Sequence, residues 1–243
     1  DEELPEQGND IRDVLAQVDE QIYQLATLNI APKMFAYVMA GGNQVSIIGD
    51  LLSSAINQNV TKWHLAPSLS EVEQRVIHWA AAFLGLSKHA GGALVGGGSA
   101  ANLTGLTVAR NVFFEQNEVR AKGLFGQQPF TLYASSETHN SVIKSVEFLG
   151  IGRNHYRQIP ITENFTVDTQ QLRQQIEQDL LDGFRPFCLI GNAGTVNTGT
   201  IDPLDELADI ADQYGLWFHV DGCYGALASG LTHLKPYYRG MER

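Results

Sequence analysis

The apolar positions of this chain change period along its length. After a polar lead, Ile11, Val14, Leu15, Val18, Ile22 and Leu25 recur at spacings of three and four, which predicts an amphipathic helix within residues 1–30. The stretch MAGGNQVS reads as loop and residues 45–57 as a second helix. Ser68 or Ser70 offers an N-cap for a third, whose apolar positions Val72, Val76, Trp79, Ala80, Phe83 and Leu84 stop at Gly85. From there short apolar runs alternate with helical patterns. GALVGG (92–97), FTLYAS (130–135), YRQIPI (156–161), FCLIGNAG (187–194) and LWFHVD (216–221) predict strands, the first of them entering a glycine turn. Helices are predicted at 99–116, 140–149, 168–182 and in DPLDELADIADQYG, where Asp202 is the expected N-cap, Pro203 opens the first turn and Gly215 terminates.

Near-continuous apolar strands that run repeatedly into helices predict an α/β fold with a mostly parallel sheet sandwiched by helices. No internal repeat, low-complexity tract or linker interrupts the pattern. The expected organisation is an N-terminal helical segment, 1–60, followed by a large α/β domain over 61–243.

Composition narrows the partners. With 44% hydrophobic and 18% charged residues the chain reads as an ordinary soluble globular protein. A net charge of −11 argues against nucleic acid or an anionic membrane surface as the main partner, because phosphate binding wants clustered Lys and Arg. The two cysteines, Cys188 and Cys223, form no CxxC, so a reducing, cytoplasmic compartment is favoured over a disulfide framework. No apolar run approaches the roughly 20 residues of a membrane span, and the first residues given do not read as a signal-like charged and apolar segment. The chain does not open with Met and its end, YYRGMER, carries no helix cap, so a fragment or a processed chain is expected.

In sheets of this kind ligands gather outside the carboxyl ends of the strands. Four such ends carry conspicuous polar residues. LVGGGSAANLTGL (94–106) sets three glycines and Ser99 at the opening of a helix, where a backbone can approach a ligand and free N–H groups favour an anion. Alone, it is equally a tight turn with a serine cap, and it is neither a Walker loop, nor GxGxxG, nor the GxSxG elbow. ASSETHNSV places His139 just beyond a strand, where it is either a solvated loop histidine or a flat ring able to stack on an aromatic ligand. NAGTVNTGTID places Thr195 in a hydroxyl-rich turn. WFHVDGCYGA drops Asp221 at the end of a buried run, where a carboxylate is costly unless a cation or donors answer it.

His139, His219 and Asp221 lack the HxxxH or HExxH spacing of a zinc site, so no metal is assigned. Ser99, His139 and Asp221 have the residue types of a hydrolase triad, but nothing nominates an oxyanion hole. One account uses all four ends together. A phosphate in the glycine cradle, a ring under His139 and a carboxylate facing a ring nitrogen describe pyridoxal phosphate, whose protonated nitrogen is a cation for Asp221.

The segments GGGSAANLTGLTVAR, SSETHNSV, GNAGTVNTGTIDPLDEL and HVDGCYGA, with FAYVMAG and NQNVTKWHLAPSLSEVE upstream, occur in order and together resemble the group II pyridoxal-phosphate-dependent amino-acid decarboxylases over roughly residues 30–240. That resemblance implies a fold-type-I large domain, a homodimer, and release of CO2 from an L-amino acid to leave its amine. It implies that Gly98 and Ser99 hold the cofactor phosphate, that His139 stacks on the ring, and that Thr195 lies beneath its oxygen side. By the same resemblance Asp221 pairs the ring nitrogen, Cys223 packs against the opposite ring face, and Tyr37 lines the substrate pocket, although Tyr37 alone could equally be core. His139 and Asp221 are the implied catalytic residues. Two departures stand out: Ala100 replaces the usual Glu after Ser99, and the lysine that forms the Schiff base in this family is expected beyond Arg243. Lys235, in THLKPYY, does not match that lysine's motif. The segment FAYVMAGG is aromatic and apolar and offers no arginine near Tyr37, which favours an aromatic substrate over glutamate or cysteine sulfinate. Aminotransferases and lyases of the same fold, and a non-catalytic cofactor-binding protein, are the rival expectations.

Overall fold

The computed structural model describes residues 5–243, and residues 1–4 of the expected polar lead lie outside the described residues. The chain divides into two compact units, Asp1–Gln58 and Asn59–Arg243. In the first, Asp10 caps helix α1 (Ile11–Gln17) by accepting from the Arg12 N–H, and the helix runs on as a π-helical segment, Val18–Tyr23. Helix α2 (Gln44–Ile56) opens on a capping box between Asn43 and Ser46. None of these helical segments buries a residue, and the apolar positions Ile11, Leu15, Ile22 and Leu25 remain exposed.

The second unit opens with α3 (Pro67–Phe83). Its start differs from the expected serine cap. Pro67 occupies the first helical position, where its fixed φ and missing N–H cost nothing, so Ser68 and Ser70 both fall inside the first turn. Ser70 instead donates back to the Ala66 carbonyl at 2.9 Å. Then follow α4 (Gly98–Phe113), α5 (Val119–Lys122), β1 (Phe130–Ser135), α6 (Asn140–Phe148), β2 (Tyr156–Ile159), α7 (Thr169–Leu181), β3 (Arg185–Asn192), α8 (Leu204–Tyr214) and β4 (Trp217–Asp221). The four strands form one sheet in the order β2-β1-β3-β4, every pair parallel.

The near-continuous apolar strands have a simple cause: both faces of the sheet are covered. Leu132, Ala134, Cys188 and Ile190 point to one face and pack with Leu106 and Ala109 of α4 and Val142 and Val146 of α6. Tyr133 and Leu189, one residue out of phase, point to the other and pack with Leu172 and Ile176 of α7 and Leu207 and Ile210 of α8. That second face also holds a polar core. Tyr133 Oη donates to Asp179 Oδ2 at 2.8 Å, and Arg157 pairs with the same carboxylate through Nη2 to Oδ1 at 2.8 Å and Nε to Oδ2 at 3.0 Å. Asp179 is 1% exposed.

Two further expectations are corrected. Residues 92–97 form no strand: Leu94 and Val95 remain exposed on an irregular approach to the glycine turn. A strand is completed by backbone pairing, and no described segment pairs with this one, so apolar content alone does not make it β. Asp202 does not cap α8. The helix starts from Pro203 without a side-chain cap, and the Asp202 carboxylate, 1% exposed, is taken by buried N–H groups instead. It accepts from Val167 N at 2.9 Å, Asn192 N at 2.9 Å and Asn192 Nδ2 at 2.7 Å, tying the end of β3 to the loop before α7. Gly215 does close α8, in the left-handed region at φ 66°.

Candidate active site

Period-two alternation sets the geometry at the end of β4. Trp217 packs on the α4 side of the sheet, so His219 and Asp221 face the same way, while Phe218 and Val220 join the opposite clusters. Asp221, 8% exposed, therefore meets α4 rather than solvent. Its Oδ2 accepts from Asn102 Nδ2 at 2.9 Å and its Oδ1 from the Cys223 backbone N–H at 3.1 Å. Both donors are neutral. Among the described residues no Lys, Arg or His nitrogen forms an ion pair with this carboxylate. A buried carboxylate held by two neutral donors keeps lone pairs available for a cation.

Helix α4 opens against this aspartate. Gly97 turns the chain at φ 114°, a conformation that L side chains rarely adopt, and no side chain caps the helix. The first N–H groups of α4, at Gly98, Ser99 and Ala100, thus have no intrahelical or side-chain partner, and a helix end of this kind favours an anion. Gly98 is required by a close approach, since a Cβ there would lie 2.8 Å from Cys223 Sγ. Burial, followed by the charge and hydrogen bond of Asp221, pushes the Cys223 thiol up to about 11, which keeps it neutral. Gly98→Ala is expected to cost about 1–3 kcal/mol of stability by overpacking, although alanine is the better helix former. Adding Cys223→Ala is expected to recover most of that loss, and thermal melting of the four proteins of the cycle measures it.

His139 follows β1 and caps α6. Its Nδ1 accepts from the Ser141 N–H at 3.2 Å and lies 2.8 Å from Ser141 Oγ, while the ring remains exposed. The loop that carries it is clasped to the loop after β3. Asn192 Nδ2 donates to Thr138 Oγ1 at 3.0 Å, and Asn197 Nδ2 to Glu137 at 3.0 Å. Thr195 is 2% exposed, its hydroxyl 2.7 Å from Thr198 Oγ1, and its N–H donates to the Thr200 carbonyl at 2.9 Å. Two residues before it, the Ala193 N–H donates to the Asp221 carbonyl at 2.9 Å, which brings the β3 and β4 ends together. Tyr37 belongs to the Asp1–Gln58 unit, where it is 85% exposed with φ 65°.

Three residues not singled out as site residues join the others. Asn102 and Ser141, 3% and 1% exposed, lie between His139 and Asp221, and His219 Nε2 is 2.8 Å from Asn102 Oδ1. Asn102 could have been found: it shares a stripe with Leu106 and Ala109 at spacings of four and three, and a polar side chain on a core-facing stripe needs a reason. Burial pushes the His219 imidazole below its ordinary value, against the opposing pull of Asp221. The unfolded chain then binds a proton that the folded chain refuses, so this contribution is present above about pH 6.5 and is lost as the pH falls below it. Between pH 7.5 and 5.5 the unfolding free energy from urea titration is expected to fall further for the wild type than for His219→Gln, by up to about 1.4 kcal/mol per pH unit.

The arrangement can hold a flat cationic heterocycle that carries a phosphate. Asp221 has lone pairs left for a cation and the start of α4 has N–H groups left for an anion, while the Cys223 side chain packs against Gly98. Pyridoxal phosphate has those three features. No group of three or more side chains able to bind a metal occurs among the described residues. No helix among them is long and apolar enough to cross a membrane.

Comparison with known proteins agrees with this chemistry. The pyridoxal-dependent decarboxylase conserved domain matches residues 1–243. An aromatic-L-amino-acid decarboxylase of Bacillus atrophaeus is 34% identical over 242 residues, covering 100% of this chain and 48% of that protein. A tryptophan decarboxylase of Camptotheca acuminata is 33% identical, covering 98% of this chain and 48% of its own length. Among solved structures, the glutamate decarboxylase domain of a Vibrio parahaemolyticus diaminobutyrate-pyruvate transaminase and L-2,4-diaminobutyrate decarboxylase superimposes with a TM-score of 0.93 at 29% identity, over 99% of this chain and 52% of that one. Tryptophan decarboxylase of Catharanthus roseus in complex with L-tryptophan gives 0.89 at 27% identity, over 100% and 52%. The chain thus spans about half the length of these relatives. With the parallel sheet, the strand-end carboxylate and a family match over its full length, this chain belongs to the pyridoxal-dependent decarboxylases.

Proposed function

We propose that this chain is the cofactor-binding part of a pyridoxal-phosphate-dependent carboxy-lyase that converts an L-amino acid, preferably an aromatic one, to its amine and CO2. The observation that carries the reading is Asp221, a buried strand-end carboxylate answered only by neutral donors. Residues 61–243 are the large cofactor-binding domain in this reading, continued in the full-length protein by the lysine and the small domain that the family resemblance implies. When bound, pyridoxal phosphate supplies an electron sink for the pair left at Cα as the carboxylate departs. Asp221 keeps a proton on the ring nitrogen. The α4 N-terminus at Gly98 and Ser99 holds the phosphate, His139 covers one ring face, Cys223 leaves room at the other, and Thr195 stands at the oxygen side. Tyr37 contributes to the substrate wall.

The aromatic preference is supported by the relatives that act on tryptophan or on aromatic amino acids generally, and by the lack of an arginine near Tyr37 in FAYVMAGG. The acidic alternative, glutamate or cysteine sulfinate, is supported by the likeness to the glutamate decarboxylase domain. The reading extends to amino-acid metabolism in the cytoplasm, for which the two free cysteines speak, and to a homodimer, for which the exposed apolar side chains of α1 and α2 speak. The test incubates the full-length protein with pyridoxal phosphate and a panel of L-amino acids while CO2, amine and keto acid are followed. CO2 with an aromatic amine is the expected result. A keto acid in place of CO2 identifies an aminotransferase and overturns it, as does a protein that binds no cofactor.

A further inference from the structure

The two sides of the site converge on one buried amide. The Asn102 carboxamide is oriented by its neighbours: its Nδ2 donates to the Asp221 Oδ2 acceptor at 2.9 Å, which leaves Oδ1 facing His219 Nε2 at 2.8 Å. His219 must therefore carry its proton on Nε2. The second N–H of Asn102 goes to Ser141 Oγ at 2.9 Å. The Ser141 proton then turns to His139 Nδ1 at 2.8 Å, an atom that the Ser141 backbone N–H already marks as an acceptor. Donation runs in one direction, from His219 through Asn102 and Ser141 to His139, with a branch to Asp221. It leaves His139 with Nδ1 as acceptor and its N–H at Nε2. Every polar function of Asn102 is used, and at 3% exposure water offers no substitute.

We propose that Asn102 is a positioning residue that fixes the Asp221 carboxylate and the His139 tautomer together, presenting both to pyridoxal phosphate in one arrangement; this rests on the cofactor reading above. Without it the aspartate keeps only the Cys223 N–H on Oδ1, and Oδ2 is free to rotate away.

The test is a double-mutant cycle on the full-length protein, reading the dissociation constant of pyridoxal phosphate by equilibrium dialysis. Asn102→Ala is expected to weaken binding by about 10- to 100-fold, the worth of a hydrogen bond to a charged group. In the Asp221→Ala background the same substitution is expected to cost only a few-fold, through the Ser141–His139 arm alone. Ser141→Ala, which cuts only that arm, is expected to cost the same few-fold in both backgrounds. An equal loss for Asn102→Ala in both backgrounds means a purely structural role and overturns the assignment, as does an unchanged affinity. If Asn102→Ala fails to fold, Asn102→Ser, which keeps one hydroxyl donor, is carried through the same cycle. A wild type that binds no pyridoxal phosphate overturns the functional reading and the assignment together. A wild type that binds while Asn102→Ala binds equally well overturns the assignment alone.

Discussion

Replacing Asp221 with alanine in the full-length protein is expected to lower decarboxylation turnover by about 10²–10³-fold, the range seen when one preorganised electrostatic group is removed from a reacting centre. The size of the effect follows from burial. At 8% exposure the carboxylate acts where water cannot screen it, and its two donors hold it without neutralising it. Asp221→Asn is the sharper variant, because it keeps the shape and one acceptor while removing the charge that retains a proton on the ring nitrogen. Both are read by CO2 release at saturating pyridoxal phosphate, which separates lost chemistry from lost cofactor. Turnover within a few-fold of the wild type would remove Asp221 from the mechanism.

Asp179→Ala is expected to destabilise the protein by about 3 kcal/mol, the lower end of the cost of unpairing a buried ion pair. The lower end applies because Arg157 keeps 22% of its side chain exposed and can turn to water, whereas Asp179 is enclosed. Tyr133 would lose one hydrogen bond and keep its contact with Thr131 at 2.7 Å. The urea midpoint of the full-length protein, with an unchanged slope, checks this. A loss below about 1 kcal/mol would show that the network contributes little beyond its own desolvation.

How much could be read in advance differs from element to element. β1, β3 and β4 lie where continuous apolar runs end in polar residues, and α8 ends at Gly215 as its pattern predicts. These are local signals, since covered sheets make apolar strands and left-handed caps select glycine. Residues 92–97 carry the same apolar signal and form no strand, because pairing depends on a neighbour that a local window does not contain. Asp202 has the right residue type and position for a cap, yet its carboxylate is claimed by Val167 and Asn192. A short local hydrogen bond loses to buried N–H groups with no other acceptor. Among the candidate site residues, His139, Thr195, Cys223 and Asp221 drew notice because each lies at or just beyond the end of an apolar strand, and Gly98 and Ser99 because a glycine turn opens a helix there. Ser141 and His219 did not, because their significance lies in the groups they join, and Asn102 showed only as a polar side chain on a core-facing stripe.

The sequence by itself determined the α/β class and the kinds of side chain that follow its apolar runs, since period and turn chemistry act over a few residues. Only the tertiary structure decided which of those side chains share one site. Asn102 and Asp221 are 119 residues apart in the chain and 2.9 Å apart in space. The parallel crossover of β4 beside β3, with α4 laid over the same face, closes that distance, and no local pattern encodes it.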